Sequence, residues 1–411
     1  MTTDWPRGWR AAPLWSLFER VKDTDHPTEQ MLSVYRDFGV VPKEGRSDNL
    51  NKTAENRSIY QLVHPGWLVV NRMKAFQGSV GISEHRGIVS GHYLCFRPRH
   101  EEDPNFLNLL LRSAPYIHEY RRMSRGVRPN QVEIDNDELR VLPLYLPPLS
   151  VQRDIAAMIG RETAKIDALI AKQDALVARL GEHRRAMVAG AVEAVLEASS
   201  GARFKHFVTE MRQGWSPQCE SVPADGVTEW GVLKTGCVNG GVFRPEENKL
   251  LPADVEPRVE TVVRRGEIVM SRASTRDLVG SAAVVEAEYP RLMLSDKTYA
   301  ITVDRRVADP WFVSSFLGTP RLRQAIELEA TGASQSMQNV SKEDLLNLPM
   351  PLPPVAAQVE VARALLVDAP KVDAMVGKAE QLSAKLKERR AALITAAVTG
   401  TLDVTTYGKA G

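Results

Sequence analysis

Arginine side chains are the residues of this chain best suited to do chemistry. Arg121, Arg122, Arg125 and Arg128 fall within one short stretch of sequence. A guanidinium is planar and donates two parallel hydrogen bonds, so it suits a phosphate group or the edge of guanine. The cluster therefore indicates phosphate contact, and an ordinary solvated face is the alternative. The first 148 residues are rich in arginine and poor in lysine, for which a GC-rich genome is a competing explanation.

The histidines and cysteines form no set that predicts catalysis or metal binding. His85, His92 and His100 have a spacing that suits neither a metal pair on one helix face nor a zinc finger. The cysteines form no Cys-x-x-Cys pair and are typical of reduced cytosolic thiols: Cys95, Cys219 and Cys237. We therefore expect neither a disulfide nor a metal site.

Composition indicates a folded protein of more than one domain. With 411 residues the chain is too long for one ordinary core. Its 43% hydrophobic and 25% charged residues are typical of a folded protein. It contains no apolar run long enough to span a membrane, and its start lacks the apolar core of a signal peptide, so we expect a cytoplasmic protein. The net charge of +2 does not by itself demand a nucleic-acid partner.

One block of sequence occurs twice. Residues 142–192 align without a gap to residues 348–398 at an offset of 206, with 19 identities over 51 positions. This period is far too long for a solenoid repeat. The chain is therefore predicted to be two copies of one large unit in tandem.

Each copy carries an apolar stripe with the heptad spacing of a coiled coil. The predicted stripe in copy one is Ile159, Ile166, Leu169, Leu176, Leu180 and Met187, and in copy two Leu365, Val372, Met375, Leu382, Leu386 and Leu393. Gln173, His183 and Arg389 fall on the same predicted seam. Two such helices pair within one chain only if it folds back on itself, which predicts an antiparallel coiled coil. Two unrelated surface helices are the alternative.

Prolines predict where these helices begin. Pro147-Pro148 and Pro353-Pro354 cannot lie inside a helix, so each pair marks a helix start. Pro370 falls near the front of the second copy, where we expect it to kink or split the helix.

The long segments between the helices match only in islands. Residues 64–73 align with 264–273, which places Gly66 over Gly266 and Arg72 over Arg272. Residues 67–70 and 268–270 have the pattern of strands. Residues 106–111 and 312–317 have the pattern of helices that begin at Asp-Pro. Residues 124–134 align with 330–340. Each segment is therefore predicted to be a mixed α+β domain.

These features together resemble the specificity subunit of a type I restriction–modification system over essentially the whole chain. The resemblance is carried by LPLYLPPLSVQRDIA, by its twin LPMPLPPVAAQVEVA, and by the ending ERRAALITAAVTGTLDV at 388–404. The first copy departs from the family at 191–201, where the Thr-Gly-x-Leu-Asp piece is missing.

The resemblance implies an α+β fold with two tandem mixed α/β target-recognition domains, separated by two long helices that form an antiparallel coiled coil with pseudo-twofold symmetry. The implied boundaries are 1–146 for the first recognition domain, 147–200 for the central helical region, 201–352 for the second recognition domain, 353–404 for the C-terminal helical region and 405–411 for a tail.

The resemblance also implies the function. Each recognition domain reads one half of a bipartite double-stranded DNA target, and the helices set the spacing and dock two copies of a DNA adenine methyltransferase subunit. A restriction/translocase subunit joins through them. The chain itself is expected to be non-catalytic and to bind no cofactor, with S-adenosylmethionine and ATP/Mg on partner subunits. The absence of a Gly-x4-Gly-Lys-Ser/Thr loop and of an Asn/Asp-Pro-Pro-Phe/Tyr motif agrees with this expectation.

Polar residues of loops are the candidates for DNA contact, since framework residues are used for packing. In the first domain they are Arg72, Lys74, Gln77, Arg121, Arg122, Arg125, Arg128 and Gln131. In the second they are Lys234, Arg272, Ser274, Arg276, Lys297, Gln335, Ser336 and Gln338. For Arg72 and Arg272, a structural ion pair with a carboxylate is the alternative. The heptad residues, with Gln152 and Gln358, are the candidates for the coiled coil and for partner docking.

Two other functions stay open at this point. One is a coiled-coil adaptor that does not bind DNA and only tethers partner subunits. The other is an enzyme with its site hidden in one of the large domains. Paired domains with divergent loops favour DNA recognition, because tethering does not require two copies of such a domain.

Overall fold

The computed structural model describes residues 5–36, 38–44, 56–126, 132–196, 199, 201–334 and 337–404. The chain divides into two compact units. Unit 1 comprises Met1–Asp174 and Gln381–Gly411, and unit 2 comprises Ala175–Glu380. Two long helices each contribute one part to each unit, so neither unit is one continuous stretch of chain.

Unit 1 combines short strands with short helices. Its strands are β1 (Arg10–Pro13), β2 (Phe18–Val21), β3 (Leu32–Tyr35), β4 (Gly39–Pro42), β5 (Gln61–Val63), β6 (Leu68–Asn71), β7 (Val80–Ile82), β8 (Gly87–Val89), β9 (Tyr93–Pro98), β10 (Ser124–Arg125), β11 (Glu133–Ile134) and β12 (Pro143–Leu146). Its short helices are α1 (Leu14–Leu17), α2 (Pro104–Leu111), α3 (Ala114–Met123) and α4 (Asn136–Arg140), with a 3-10 turn at Ala75–Gln77.

The centre of unit 1 is a four-stranded antiparallel sheet with the order β2-β9-β6-β7. Helix α2 begins at Pro104, and the Asp103 side chain accepts a hydrogen bond from the Phe106 N–H, as an N-cap residue does. Apolar residues of this helix pack on the sheet in the main core of the unit. The predicted strand at 67–70 and helix at 106–111 are therefore confirmed.

Unit 2 is built in the same way. Its strands are β13 (Val208–Gln213), β14 (Gly231–Leu233), β15 (Asn248–Leu250), β16 (Ile268–Ser271), β17 (Ala273–Ser274), β18 (Ala282–Val284), β19 (Leu292–Met293), β20 (Thr298–Val303), β21 (Thr331–Ser334) and β22 (Met337–Asn339). Its short helices are α6 (Pro310–Leu317), α7 (Pro320–Glu329) and α8 (Lys342–Asn347), with 3-10 turns at Phe204–His206, Thr235–Gly241 and Val259–Thr261.

The central sheet of unit 2 has the order β13-β20-β16-β18, which repeats that of unit 1 strand for strand. Strands β6 and β16 each follow a glycine with a positive φ, Gly66 at 85° and Gly266 at 84°. A residue with a Cβ is disfavoured in that conformation, so the aligned glycines set the same turn into the same strand. Asp309 caps α6 through its side chain, as Asp103 caps α2. The predicted strand and helix of this unit are also confirmed.

The long helices are α5 (Leu149–Leu196) and α9 (Val355–Val398). Each starts directly after its Pro-Pro pair, as predicted. The prediction that Pro370 splits the second helix is wrong, since α9 runs through it without interruption. Proline removes the hydrogen bond to the carbonyl of Leu366, but Leu366 and Pro370 both lie on an exposed face, where water can satisfy that carbonyl.

Within each unit the parts of α5 and α9 pair in antiparallel directions. In unit 1 the Asp167 carboxylate lies 2.8 Å from Arg390 Nε, and Ser383 donates to the Asp174 carboxylate at 3.1 Å. The partner position on α9 thus falls as the position on α5 rises. In unit 2 the Arg184 Nε lies 2.7 Å from the Asp373 carboxylate. Asp373 and Arg390 are the repeat equivalents of Asp167 and Arg184, so each unit makes the same ion pair.

The seam between the helices differs in phase from the predicted one. Leu169, Leu176, Met375 and Leu382 are wrong as seam positions, because they are 45%, 44%, 56% and 45% exposed. The other predicted apolar positions and Gln173 are buried or partly buried: Ile159, Ile166, Gln173, Leu180, Met187, Leu365, Val372, Leu386 and Leu393. Further buried or partly buried positions, absent from the prediction, are Thr163, Ile170, Val177 and Arg184 in α5, and Ala369, Val376, Ala379, Ser383 and Arg390 in α9. His183 and Arg389, also placed on the seam, are exposed.

The error has a simple physical origin. Residues three and four positions further along a helix both lie one turn away on the same side, so a heptad stripe can continue from Ile166 to Leu169 or to Ile170. The sequence offers leucines at the first choice. The structure takes the second, where Ile170 and the small residues Ala379 and Ser383 lie.

Gln152 and Gln358 do not present a docking surface, which corrects that expectation. Both side chains are fully buried. The Gln152 carboxamide accepts from the Asp103 N–H at 3.0 Å and donates to the Pro147 carbonyl at 2.9 Å. The Gln358 carboxamide accepts from the Asp309 N–H at 2.9 Å and donates to the Pro353 carbonyl at 2.7 Å. Each glutamine thus joins the start of a long helix to the N-cap residue of α2 or α6.

Candidate nucleic-acid interface

An arginine directly follows the equivalent central strand in both units and makes the same backbone contacts. The Arg72 N–H donates to the His92 carbonyl at 3.2 Å, and the Arg72 carbonyl accepts from Ile134 N–H at 3.0 Å. The Arg272 N–H donates to the Lys297 carbonyl at 2.8 Å, and its carbonyl accepts from Val340 N–H at 3.1 Å. In each unit a hairpin, β10–β11 or β21–β22, is thereby attached to the end of β6 or β16.

The Arg72 side chain makes an ion pair in unit 1. Its Nη2 lies 2.6 Å from Glu133 Oε2, and the side chains of Arg72 and Glu133 are 46% and 40% exposed. This is the carboxylate contact that the structural alternative for Arg72 requires. The guanidinium has further donors that one such contact does not use. The assignment of Arg72 to DNA contact stays a prediction.

Three segments of unit 1 meet around Arg72. Lys74 and Gln77 are exposed on the turn and 3-10 helix that follow β6. Arg121, near the end of α3, donates from Nε to the Phe76 carbonyl at 3.0 Å and so lies beside that turn. The structure therefore brings Arg72, Lys74, Gln77 and Arg121 into one region together with the hairpin.

Two further arginines of the cluster, Arg122 and Arg125, pair with carboxylates. Arg122 Nη2 lies 3.0 Å from the buried carboxylate of Glu119, and Arg125 pairs with Glu138. Arg122, Glu119 and Glu138 also line a cavity of about 260 Å³ beside α4. The sequence pattern suggested a dense positive cluster, but in the described part of the chain Arg122 and Arg125 each have a carboxylate partner.

Arg272 in unit 2 has a different environment. Its Nη1 donates to the Asp296 carbonyl at 3.3 Å, and its side chain is partly buried. The neighbouring Tyr299 has a raised pKa because the ring is buried, and the Arg272 guanidinium beside its hydroxyl acts in the opposite direction. Arg272 is thus held by neutral oxygens.

The other candidates of unit 2 divide into two groups. Ser274 and Gln338 face each other across β17 and β22, and exposed Lys297 accepts the backbone bond from Arg272, so these three lie around Arg272. Arg276 Nε lies 3.5 Å from the Glu327 carboxylate. Lys234 directly follows β14 of the separate sheet β15-β14-β19, and its Nζ lies 3.8 Å from Glu247 Oε2.

Four candidates lie outside the described residues: Arg128, Gln131, Gln335 and Ser336. In the sequence, Arg128 and Gln131 fall between the ranges of β10 and β11, and Gln335 and Ser336 between those of β21 and β22. Their assignment to DNA contact stays a prediction.

The described residues contain no group of His, Cys, Asp and Glu side chains placed to hold a metal ion. No helix in the described part of the chain combines the length and the apolarity that a membrane span requires. The thiols of Cys95 and Cys237 are buried, which raises the pKa of each to about 12.

Comparison with known proteins identifies what this arrangement is similar to. No protein-family model matches the chain. It is 33% identical over 159 residues to the type I restriction enzyme EcoEI specificity subunit of Escherichia coli, a match that covers 39% of this chain and 27% of that protein. It is 21% identical over 386 residues to the EcoKI specificity subunit of Escherichia coli strain K12, which covers 87% of this chain and 81% of that protein.

The chain is similar to the type I restriction specificity subunits. A chain in a solved structure of the type I restriction–modification system has the same fold, with a TM-score of 0.60 at 16% identity, and the match covers 97% of this chain and 100% of that one. The resemblance and the α+β fold with paired long helices, both inferred from the sequence, are thus confirmed.

Sequence reasoning missed the acidic residues that pair with the candidate arginines. Glu133, Glu119 and Glu138 each pair with an arginine that the sequence singled out. One signal was available for Glu133. In the alignment of the two hairpins it lies over Asn339, so a charge is present in one copy and absent from the other.

Proposed function

We propose that this chain is the DNA sequence-recognition subunit of a type I restriction–modification complex. The observation that carries the proposal is the strand-end arginine, fixed by the same backbone hydrogen bonds in both units but surrounded by different side chains. A shared framework with different polar surroundings suits two domains that recognise different base sequences, because base edges are distinguished by local donors and acceptors. The names of the curated relatives support the same conclusion.

The parts of the chain have separate tasks in this proposal. Residues 1–146 and 201–352 each recognise one half of a bipartite target in double-stranded DNA. Residues 147–200 and 353–404 contribute the coiled coil that sets the spacing between the half-sites. The predicted tail at 405–411 lies outside the described residues. The repeated Asp–Arg ion pair supports a spacer whose two ends are built alike.

The partners follow from the same proposal. Two copies of a DNA adenine methyltransferase subunit dock on the helices, and a restriction/translocase subunit joins them in the cytoplasm. S-adenosylmethionine and ATP with Mg²⁺ act on those subunits, while this chain binds no cofactor and is non-catalytic. The apolar residues exposed on α5 and α9 support docking there: Leu169, Leu176, Met375 and Leu382.

A DNA-free adaptor that only tethers partners is not favoured by any observation. The matched arginine and its hairpin in each unit have no role in tethering through the helices. Such a protein would also require only one of the two large folds.

Arginine removal tests the proposal. In the complex of the full chain with its methyltransferase partner, Arg72→Ala and Arg272→Ala should each weaken DNA binding about tenfold, since each loses a base or phosphate contact. Gel-shift titrations at several salt concentrations measure this effect. Arg86→Ala is the matched control, because Arg86 is also an exposed, carboxylate-paired arginine of unit 1.

Two outcomes would contradict the proposal. Unchanged DNA affinity in both variants, with normal assembly, would return the two arginines to a structural role. Equally tight binding of the wild-type complex to random and to cellular target DNA at physiological salt would contradict sequence recognition itself. Sequencing the methylated sites of a host that carries the system should give a split motif with a fixed gap.

A further inference from the structure

Glu133 holds the Arg72 side chain from the hairpin. Strand β11 carries Glu133 next to Ile134, whose N–H donates to the Arg72 carbonyl at 3.0 Å. The backbone contact and the side-chain ion pair at 2.6 Å therefore fasten the same arginine to the same hairpin. Glu133 is thus the charged neighbour that any DNA phosphate approaching Arg72 must meet.

Unit 2 lacks this carboxylate at the equivalent place. Asn339, the counterpart of Glu133, precedes Val340, whose N–H donates to the Arg272 carbonyl. Asn339 lies opposite Ala273 in the pairing of β17 with β22. Ala273 is the residue that follows Arg272 in the sequence. Directly before this backbone contact with the arginine, unit 1 therefore carries a carboxylate where unit 2 carries a neutral amide.

The energetics of such a pair allow exchange. Both side chains of the Arg72–Glu133 pair are nearly half exposed. Exposed ion pairs contribute little, so a phosphate oxygen can replace the carboxylate. The exchange still has a cost, because the displaced carboxylate stays close to the phosphate and repels it. This cost is largest, relative to the total affinity, for DNA that is held by phosphate contacts alone.

We propose that Glu133 is a specificity-determining residue of unit 1, whose carboxylate occupies the Arg72 guanidinium and restrains it from binding the phosphates of DNA that lacks the target. The inference rests on the proposed function. Target DNA offsets the exchange through base contacts, and random DNA has none to offer.

Glu133→Gln tests the inference, with a random-sequence duplex as the probe and the complex of the full chain with its methyltransferase partner as the protein. The affinity should rise about threefold, the gain expected when an exposed ion pair no longer competes. The plot of log K against log salt should steepen by about 0.9, since one more phosphate is neutralised. A purely structural role of Glu133 would not steepen that slope.

Glu29→Gln is the matched control. Glu29 Oε1 lies 2.8 Å from Arg86 Nη2, and Arg86 is 49% exposed, much as Arg72 is. Arg86 follows the end of β7 that pairs with the start of β6, whereas Arg72 follows the end of β6. The control removes the same charge from the same unit at the opposite end of the strand pair. Its affinity and salt slope should stay within error of the wild type.

A second variant shows whether Glu133 acts through Arg72. In an Arg72→Ala background, Glu133→Gln should change neither the affinity nor the slope. A rise in affinity that persists in that background would overturn the inference, as would a Glu133→Gln variant that matches the Glu29→Gln control. A wild-type complex that does not bind DNA at all would instead overturn the proposed function, so the two failures are distinguishable.

Discussion

The central sheets of the two units have the same strand order, but one pair of equivalent positions is apolar in unit 1 and charged in unit 2. In unit 1, Trp67 follows Gly66 and lies with Val21 in an apolar cluster. In unit 2, the corresponding positions are Glu267, which follows Gly266, and Arg212. Arg212 Nη2 donates to both oxygens of the Glu267 carboxylate at 2.7 Å, and both side chains are largely buried.

The comparison shows how much chemistry one backbone framework tolerates. Glu267 also accepts from the Arg264 N–H at 2.8 Å, and Arg212 Nη2 donates to the Val262 carbonyl at 3.2 Å, so the pair is embedded in further hydrogen bonds. A buried ion pair of this kind and an apolar contact can be of similar stability, because the desolvation of the charges offsets their attraction. They differ in what happens when one member is removed.

The largest effect that we expect is in unit 2. Glu267→Gln should lower the free energy of unfolding by about 3–5 kcal/mol, because the buried Arg212 loses the buried carboxylate that accepts two of its hydrogen bonds. Denaturant unfolding of the full chain measures the loss, and hydrogen exchange in β13 and β16 locates it. Glu327→Gln, which removes the carboxylate partner of exposed Arg276 elsewhere in unit 2, is the control and should have little effect.

A double variant sharpens the same comparison. Arg212→Met combined with Glu267→Leu imitates the apolar contact of unit 1 and should be more stable than Glu267→Gln alone. If the double variant unfolds as easily as the single one, the two positions do not accept an apolar pair, and the correspondence with Val21 and Trp67 fails.

The buried glutamines should have equal effects in the two units. Gln152→Ala and Gln358→Ala should each destabilise the chain by about 2–4 kcal/mol, because each leaves a buried N–H and a buried carbonyl without partners and opens a cavity. Denaturant unfolding is again the measurement, with exposed Gln381→Ala as the control. A loss of stability in only one of the two variants would show that the two helix starts do not contribute equally to the free energy of unfolding.

The repeated ion pairs of the long helices should give a smaller effect. Double-mutant cycles on Asp167 with Arg390, and on Asp373 with Arg184, should each give a coupling energy of about 0.5–1 kcal/mol, since the pairs are partly exposed. Exchanging Asp167 and Arg390 should restore most of the stability that a single change removes. Coupling in one unit but not in the other would break the equivalence.

The cysteines should show the smallest effect, a difference in reactivity. The pKa of about 12 keeps the Cys95 and Cys237 thiols protonated at pH 8, and the thiolate is the reactive form. Cys219 is partly exposed, with a pKa that burial raises. An alkylating reagent should therefore modify only Cys219 in the native chain, and faster as the pH rises. Mass spectrometry that finds a second modified cysteine before unfolding would contradict the burial of the Cys95 or the Cys237 thiol.

Local pattern was sufficient for the two long helices and for one central strand and one short helix in each unit. The Pro-Pro pairs, the Asp-Pro helix starts, the aligned glycines and the alternation of apolar segments all act through neighbouring residues, so they were readable from the chain. The strand-end arginines were found in the same way, because the two copies could be compared with each other.

The duplication, the helix starts, the α+β character and the position of Arg72 and Arg272 thus follow from the order of residues along the chain. The phase of the coiled-coil seam depends on the folded chain, since steps of three and four residues both stay on one helix side and the contact with the partner helix selects between them. The partners of the arginines also depend on the folded chain. Glu133 lies far from Arg72 along the chain, and only the folding of the hairpin onto β6 brings the two charges within 2.6 Å.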